Sequence, residues 1–149
     1  MPKQTILVVD DEQSILDALT KLLTVEQYRV LTSRDGLDAL NIIKEQQHEI
    51  ELVITNIKMP KLDGKELIER MPNILRMPMA VIINSGCCGN VSRDHIKIGT
   101  GEHIMLYDVF QKPPNPEEFL KSIREAVALT ITRRQSFIEN DMTMYLNYN

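Results

Sequence analysis

Short apolar runs, separated by stretches of helical periodicity, constrain this chain more than any other feature. Ile6-Leu7-Val8-Val9 is a continuous apolar run of the kind a strand buried on both faces requires. Behind it Ile15, Leu16, Leu19, Leu22 and Leu23 recur at helical spacing, so a helix follows. Tyr28 to Thr32 reads as a second strand. Asp35-Gly36 marks a turn, and Leu37, Leu40, Ile42 and Ile43 give a second amphipathic helix. Leu52-Val53-Ile54 forms a third strand, and Lys65 to Met71 a short helix that Pro72 stops. Met79 to Ile83 and Ile104 to Phe110 are the fourth and fifth strands. Between them, residues 87–103 hold Gly89, Gly99 and Gly101 and only a thin apolar pattern, and a short irregular helix is expected. The last helix has an explicit start: Asn115 caps it, Pro116 suits its first position, and Glu118 stands where a capping box needs it. Phe119, Leu120, Ile123, Ala126, Val127 and Ile131 form its buried stripe. Strand–helix alternation with short connections predicts an α/β fold, a doubly wound five-stranded parallel sheet with helices on both faces.

A chain of 149 residues fits one such domain, placed at residues 1–130, with residues 131–149 as a helical extension or tail. Apolar content of 43% and charged content of 26% are those of a globular protein, which sets general disorder aside. No apolar run approaches the roughly 20 residues needed to span a bilayer. The start, Met1-Pro2-Lys3-Gln4, is too short and polar for a signal peptide, so a cytoplasmic location is expected. The net charge is -4 and Arg133-Arg134 is only a doublet, which disfavours nucleic-acid binding by this chain. Cys87 and Cys88 are adjacent, a spacing that suits neither a redox pair nor a low-strain disulfide. His48, His95 and His103 are scattered, without metal-ligand spacing.

In open parallel sheets ligands bind outside the carboxyl ends of the strands. Four strands of this chain end there in polar residues: Asp10-Asp11, Asn56, Asn84-Ser85 and, beyond the fifth, Lys112-Pro113. Two carboxylates, an amide, a hydroxyl and an ammonium then share one shallow cleft. Carboxylates are hard oxygen ligands suited to Mg²⁺. A lysine offers a positive point charge for a phosphoryl oxygen, and a serine hydroxyl offers a hydrogen bond to another. The Lys112–Pro113 peptide is of the type that tolerates the cis form.

The segments ILVVDDE, LVITNIKMPKLDG, VIINSG and FQKPPNPEEFLKSIREA carry these residues in order. Together they resemble the receiver domain of two-component response regulators, over about Thr5 to Leu129. The resemblance implies a flavodoxin-like order of strands and a phosphoryl group passed from a histidine kinase to an aspartate after the third strand, with Mg²⁺ assisting. By position, Asp10 and Asp11 match the acidic metal pair, Lys58 the residue whose backbone carbonyl reaches the metal, Ser85 the switch hydroxyl and Lys112 the phosphate-binding lysine. Asn56 falls on the phosphoacceptor, within the metal set.

An amide there is a chemical departure. The acceptor carboxylate is nucleophilic because it is charged; the amide of Asn56 carries no charge, and its nitrogen lone pair is delocalised. No acyl phosphate is expected at Asn56, and Mg²⁺ is expected to bind more weakly than to three carboxylates. The family's aromatic, three positions before the lysine, is here Val109, with Phe110 one step later. GTGEHIMLYDV lacks the usual small-residue turn, and residues 87–103 make a poor fourth helix. These departures favour natural divergence over one engineered change. The reading is a non-enzymatic pseudo-receiver that acts by protein–protein interaction, with a sensor histidine kinase or another signalling protein as partner. The alternative is an ordinary receiver whose native residue 56 is Asp. A phosphohydrolase of related topology ranks last, because Asp10-Asp11-Glu12 lacks an Asp two positions after the first. In the tail, Phe137, Ile138, Met142, Tyr145 and Tyr148 are roughly helically spaced; a frayed helix end, partly packed back on the domain, is favoured over a partner-binding segment.

Overall fold

A computed structural model of the chain describes residues 3–86 and 103–148. The strands are β1 (Thr5–Val9), β2 (Arg29–Ser33), β3 (Ile50–Thr55), β4 (Met79–Ser85) and β5 (Ile104–Gln111). The helices are α1 (Gln13–Val25), α2 (Gly36–Gln46), α3 (Gly64–Arg70) and α4 (Pro116–Tyr148). All neighbouring strands pair in parallel, in the order β2-β1-β3-β4-β5. This is the doubly wound arrangement the alternation predicts, with its topological switch at β1 and β3. The expected irregular helix of residues 87–103, and with it Cys87 and Cys88, lies outside the described residues apart from His103.

The sheet is sealed on both faces, which explains why its central strands are continuously apolar rather than alternating. Ile6, Val8, Leu52, Ile54, Ala80 and Ile82 pack beneath α1 and α4, against Leu16, Leu23, Phe119 and Ile123. Leu7, Val9, Val53, Val81 and Ile83 pack on the other face against Ala39 and Ile43 of α2 and Leu67 and Ile68 of α3. The stripe of α2 differs in one place from expectation: Leu37 is 45% exposed, and Gly36 takes the buried position because its N–H donates to the Leu62 carbonyl. The α3 helix ends at Arg70, and Pro72 sits within a following 3-10 turn, Met71–Asn73, instead of beyond a stop.

Two further elements depart from simple expectation. β5 is an edge strand, and its register against β4 slips by one residue: Val81 pairs with Leu106, but Ile82 pairs with Asp108. Tyr107 is therefore the extra residue of a β-bulge, and Tyr107 and Asp108 both turn toward α4. The Tyr107 hydroxyl donates to Glu125, and the Ser122 hydroxyl donates to Asp108 at 2.8 Å. Past the bulge the alternation is inverted.

The second departure is α4. Asn115 Oδ1 accepts from the Glu118 N–H at 3.1 Å, as a cap does, and the buried stripe runs through Phe119, Ile123, Ala126 and Val127 to a fully buried Thr130. The tail does not fray, and its first turns pack back on the domain through Ile131, Arg134 and Phe137. It continues α4 as regular helix to Tyr148, with Ile138, Met142 and Tyr145 exposed at 60%, 55% and 66%. The helix is fastened at Arg134, whose guanidinium donates to the carbonyls of Pro78, Gln47 and Ile50 at 2.8, 3.1 and 2.5 Å. Burial lowers the pKa of Arg134, and Glu51 opposes that shift. Burial likewise raises the pKa of Glu51, against the pull of the Thr5 N–H and Arg134. Phe137 meets His103 edge-on, ring centroids 5.3 Å apart.

Candidate functional site

The ladders of the sheet run one residue past β1 and β3 and deliver two side chains to its carboxyl edge. Asp10 N–H donates to the Ser33 carbonyl at 3.0 Å, and Asn56 N–H to the Val9 carbonyl at 2.9 Å. On the far side, Lys112 N–H donates to the Ser85 carbonyl at 2.9 Å. Asp11, Glu12, Asn56, Lys58, Gly86 and Lys112 line one open cleft there. Of the residues singled out from the sequence, Asp10, Asp11, Asn56, Lys58, Ser85 and Lys112 gather at this edge.

Asp10 is 2% exposed and doubly engaged. Its Oδ2 lies 2.5 Å from Lys112 Nζ, and its Oδ1 accepts from the Glu12 N–H at 3.0 Å. A carboxylate so far from solvent needs such partners, since an unpaired buried charge is strongly unfavourable. Glu12, at the N-terminal boundary of α1, makes no side-chain cap. The acidic pair is therefore not simply a cap for α1.

Asn56 is 7% exposed, and its carboxamide is bonded at both ends. Nδ2 donates to Asp11 Oδ1 at 3.3 Å and to the Lys58 carbonyl at 3.0 Å, while Oδ1 accepts from the Ile57 N–H at 2.9 Å. A flipped amide would place its oxygen against two acceptors and its N–H groups against a donor, so the partners determine its orientation. The loop that presents it is drawn tight by glycine: Gly64 N–H donates to the Ile57 carbonyl at 2.7 Å, and a Cβ on Gly64 would lie 2.0 Å from the Asn56 carbonyl oxygen. Asp63 then caps α3 in a reciprocal box with Glu66.

Asp10, Asp11 and Glu12 offer carboxylate oxygens within 4.8 Å of one another, a hard donor set of the kind Mg²⁺ takes. Glu12 is a member that sequence reading did not single out; its adjacency to Asp10-Asp11 was the available signal. The remainder of the donor set does not fit a cation as it stands. Asn56 turns its nitrogen, which cannot ligate, toward Asp11 and the Lys58 carbonyl, and its oxygen away from them.

Ser85 is buried at the end of β4, beside Asn84. Asn84 is 3% exposed, and its Oδ1 accepts no hydrogen bond among the described residues. Val109 and Phe110 lie on opposite faces of the sheet. Val109 belongs with the α2–α3 core, whereas Phe110 stacks edge-on against Phe119 of α4 at 5.1 Å. Phe110 thus does not supply the aromatic missing at 109.

The receiver-domain description of response regulators matches residues 6–124, most of the chain. This chain belongs to the response regulator receiver family. The receiver is 36% identical over 121 residues to response regulator GtcR of Aneurinibacillus migulanus, covering 81% of this chain and 46% of that protein. It is 33% identical over 128 residues to the probable transcriptional regulator ycf27 of Guillardia theta, covering 86% and 47%. The chain thus spans about half the length of the curated relatives it matches. Among solved structures, a response regulator receiver domain protein from Clostridium thermocellum superposes with a TM-score of 0.69 at 32% identity, over 83% of this chain and 94% of that one. The signal receiver domain of an HD domain-containing protein from Pseudomonas fluorescens Pf-5 gives 0.75 at 27% identity, over 88% and 99%. Receivers are the signalling modules of two-component systems and bind Mg²⁺ through acidic residues. Among the described residues no helix is long and apolar enough to cross a membrane.

Proposed function

We propose that this receiver takes no phosphoryl group at residue 56 and works as a pseudo-receiver, by contact with a sensor histidine kinase or another signalling protein in the cytoplasm. One observation carries the reading: the acceptor position holds a buried, uncharged carboxamide whose oxygen and nitrogen are both committed to neighbouring groups. A neutral carboxamide at 56 has no charged oxygen with which to attack phosphorus. Asp10, Asp11 and Lys58 are assigned to a weakened Mg²⁺ site, Ser85 and Lys112 to the phosphate-facing positions, and Val109 to the switch position that has lost its aromatic. Residues 1–130 are assigned to the receiver unit and 131–149 to its helical extension. The module is non-enzymatic on this reading. Incubation with Mg²⁺ and a small phosphodonor, followed by intact-mass spectrometry, is expected to show no adduct. A stoichiometric, hydroxylamine-labile phosphate at residue 56 would refute the reading.

A second reading has its own support: the buried Lys112–Asp10 pair and the acidic cluster are intact around Asn56. A receiver whose native residue is Asp would keep them. The gene's codon at position 56 decides between the two, and Asn56→Asp labels with phosphodonor only where those neighbours are competently placed.

A further inference from the structure

We propose that the Asn56 carboxamide stands in for a divalent cation, tying the loop after β1 to the loop after β3 so that the cleft is assembled without metal. The proposal rests on the pseudo-receiver reading and adds what holds the site in shape. A cation among clustered oxygens does two things: it neutralises charge and it cross-links the segments that carry the oxygens. Asn56 performs the second with its two N–H groups, one directed to the Asp11 carboxylate and one to the Lys58 carbonyl. Its own oxygen is retained by the Ile57 N–H, so the amide cannot rotate to ligate without breaking three hydrogen bonds.

Charge is handled by other residues. Lys112 neutralises Asp10 directly, and the Arg34 guanidinium, donating to the Asp11 carbonyl at 2.9 Å, brings a second cation beside the cluster. Glu12 is exposed and Asp11 partly so, which leaves water to solvate both. A carboxylate at 56 would add a further negative charge and would turn an acceptor toward Asp11 and Lys58, where attraction now holds. Such a site needs a metal to close. A Mg²⁺ ion binds its oxygens at about 2.0–2.1 Å, so in this chain it would have to evict the amide nitrogen and draw both oxygens inward. The tether competes with the metal from within the chain.

The test is thermal unfolding of the full chain in EDTA and in millimolar MgCl₂, for wild type, Asn56→Asp and Asn56→Ala. The wild-type midpoint is expected to agree within about 1 °C in the two buffers, while Asn56→Asp melts lower in EDTA and gains roughly 5 °C or more with near-saturating MgCl₂. Asn56→Ala, which removes the tether without adding charge, is expected to melt below wild type in both. If Asn56→Asp does not fold in EDTA, folding on addition of MgCl₂ is the same result. The proposal fails if wild type gains as much from MgCl₂ as Asn56→Asp, if Asn56→Asp ignores MgCl₂, or if Asn56→Ala matches wild type in EDTA. Phosphate labelling plays no part in these curves, so the proposed function and the tether can fail separately.

Discussion

At the scale of single residues, the edge of the sheet holds one well-satisfied buried charge and one poorly satisfied buried amide. Lys112→Met leaves the Asp10 carboxylate without its counter-ion at 2% exposure, and is expected to lower the unfolding free energy by about 3–5 kcal/mol in urea titrations. Adding Asp10→Asn should recover much of that loss, because the large term is the stranded charge and not the pair itself. Asn84 makes the opposite case. Its Oδ1 is buried beside an apolar core without an acceptor's partner among the described residues, so Asn84→Val is expected to stabilise by about 1–3 kcal/mol, read from the same titrations. No gain would mean the oxygen is hydrogen-bonded in solution. The sequence shows where Asn56, Ser85 and Lys112 stand, because strand ends and neighbouring motifs set position. It does not show which way an amide faces. That depends on an N–H one residue on and a carbonyl two residues on, which only the folded loop brings into range.

At the scale of elements, the strands and the capped helix starts are legible because local pattern and burial agree. The bulge in β5 is not. Tyr107 and Asp108 read as an ordinary stretch of strand, and the inserted residue shows only as a slipped register. It explains why Phe110, one position from the family's aromatic, faces the opposite core. Arg134 was equally invisible, since a doublet of arginines says nothing about three carbonyls left over at the far edge of the sheet. Arg134→Met strands those carbonyls and is expected to lower stability by about 2–4 kcal/mol. Hydrogen exchange should then accelerate through residues 135–147. Glu51 beside it gives a pH signature. Its folded pKa is raised above the ordinary 4.5, so its contribution is present below that value and is lost as pH rises through the folded value. Between about pH 4.5 and 7, Glu51→Gln should therefore lose less stability than wild type, as urea midpoints across that range would show.

At the scale of the whole molecule, the core ends before the chain does. The last residue of α4 that is fully buried is Thr130, Arg134 and Phe137 still reach the domain, and Ile138, Met142, Met144, Tyr145 and Leu146 are all more than half exposed. A chain cut after Phe137 is expected to melt within about 2–4 °C of the full chain, because Ile138 and the apolar residues after it are more than half exposed. A cut after Thr130 removes the Arg134 anchor and should cost considerably more; equal melting of the two would show that the anchor contributes nothing. The bulge has its own consequence at this scale. A sheet with free edges is a template on which other chains can add strands. Among the described residues β5 is such an edge, but an extra residue breaks its ladder midway and Asp108 turns a carboxylate inward beside the break. No continuous row of donors and acceptors is left for an incoming strand to match. The irregularity that obscured the register also guards this flank of the sheet against edge-to-edge aggregation.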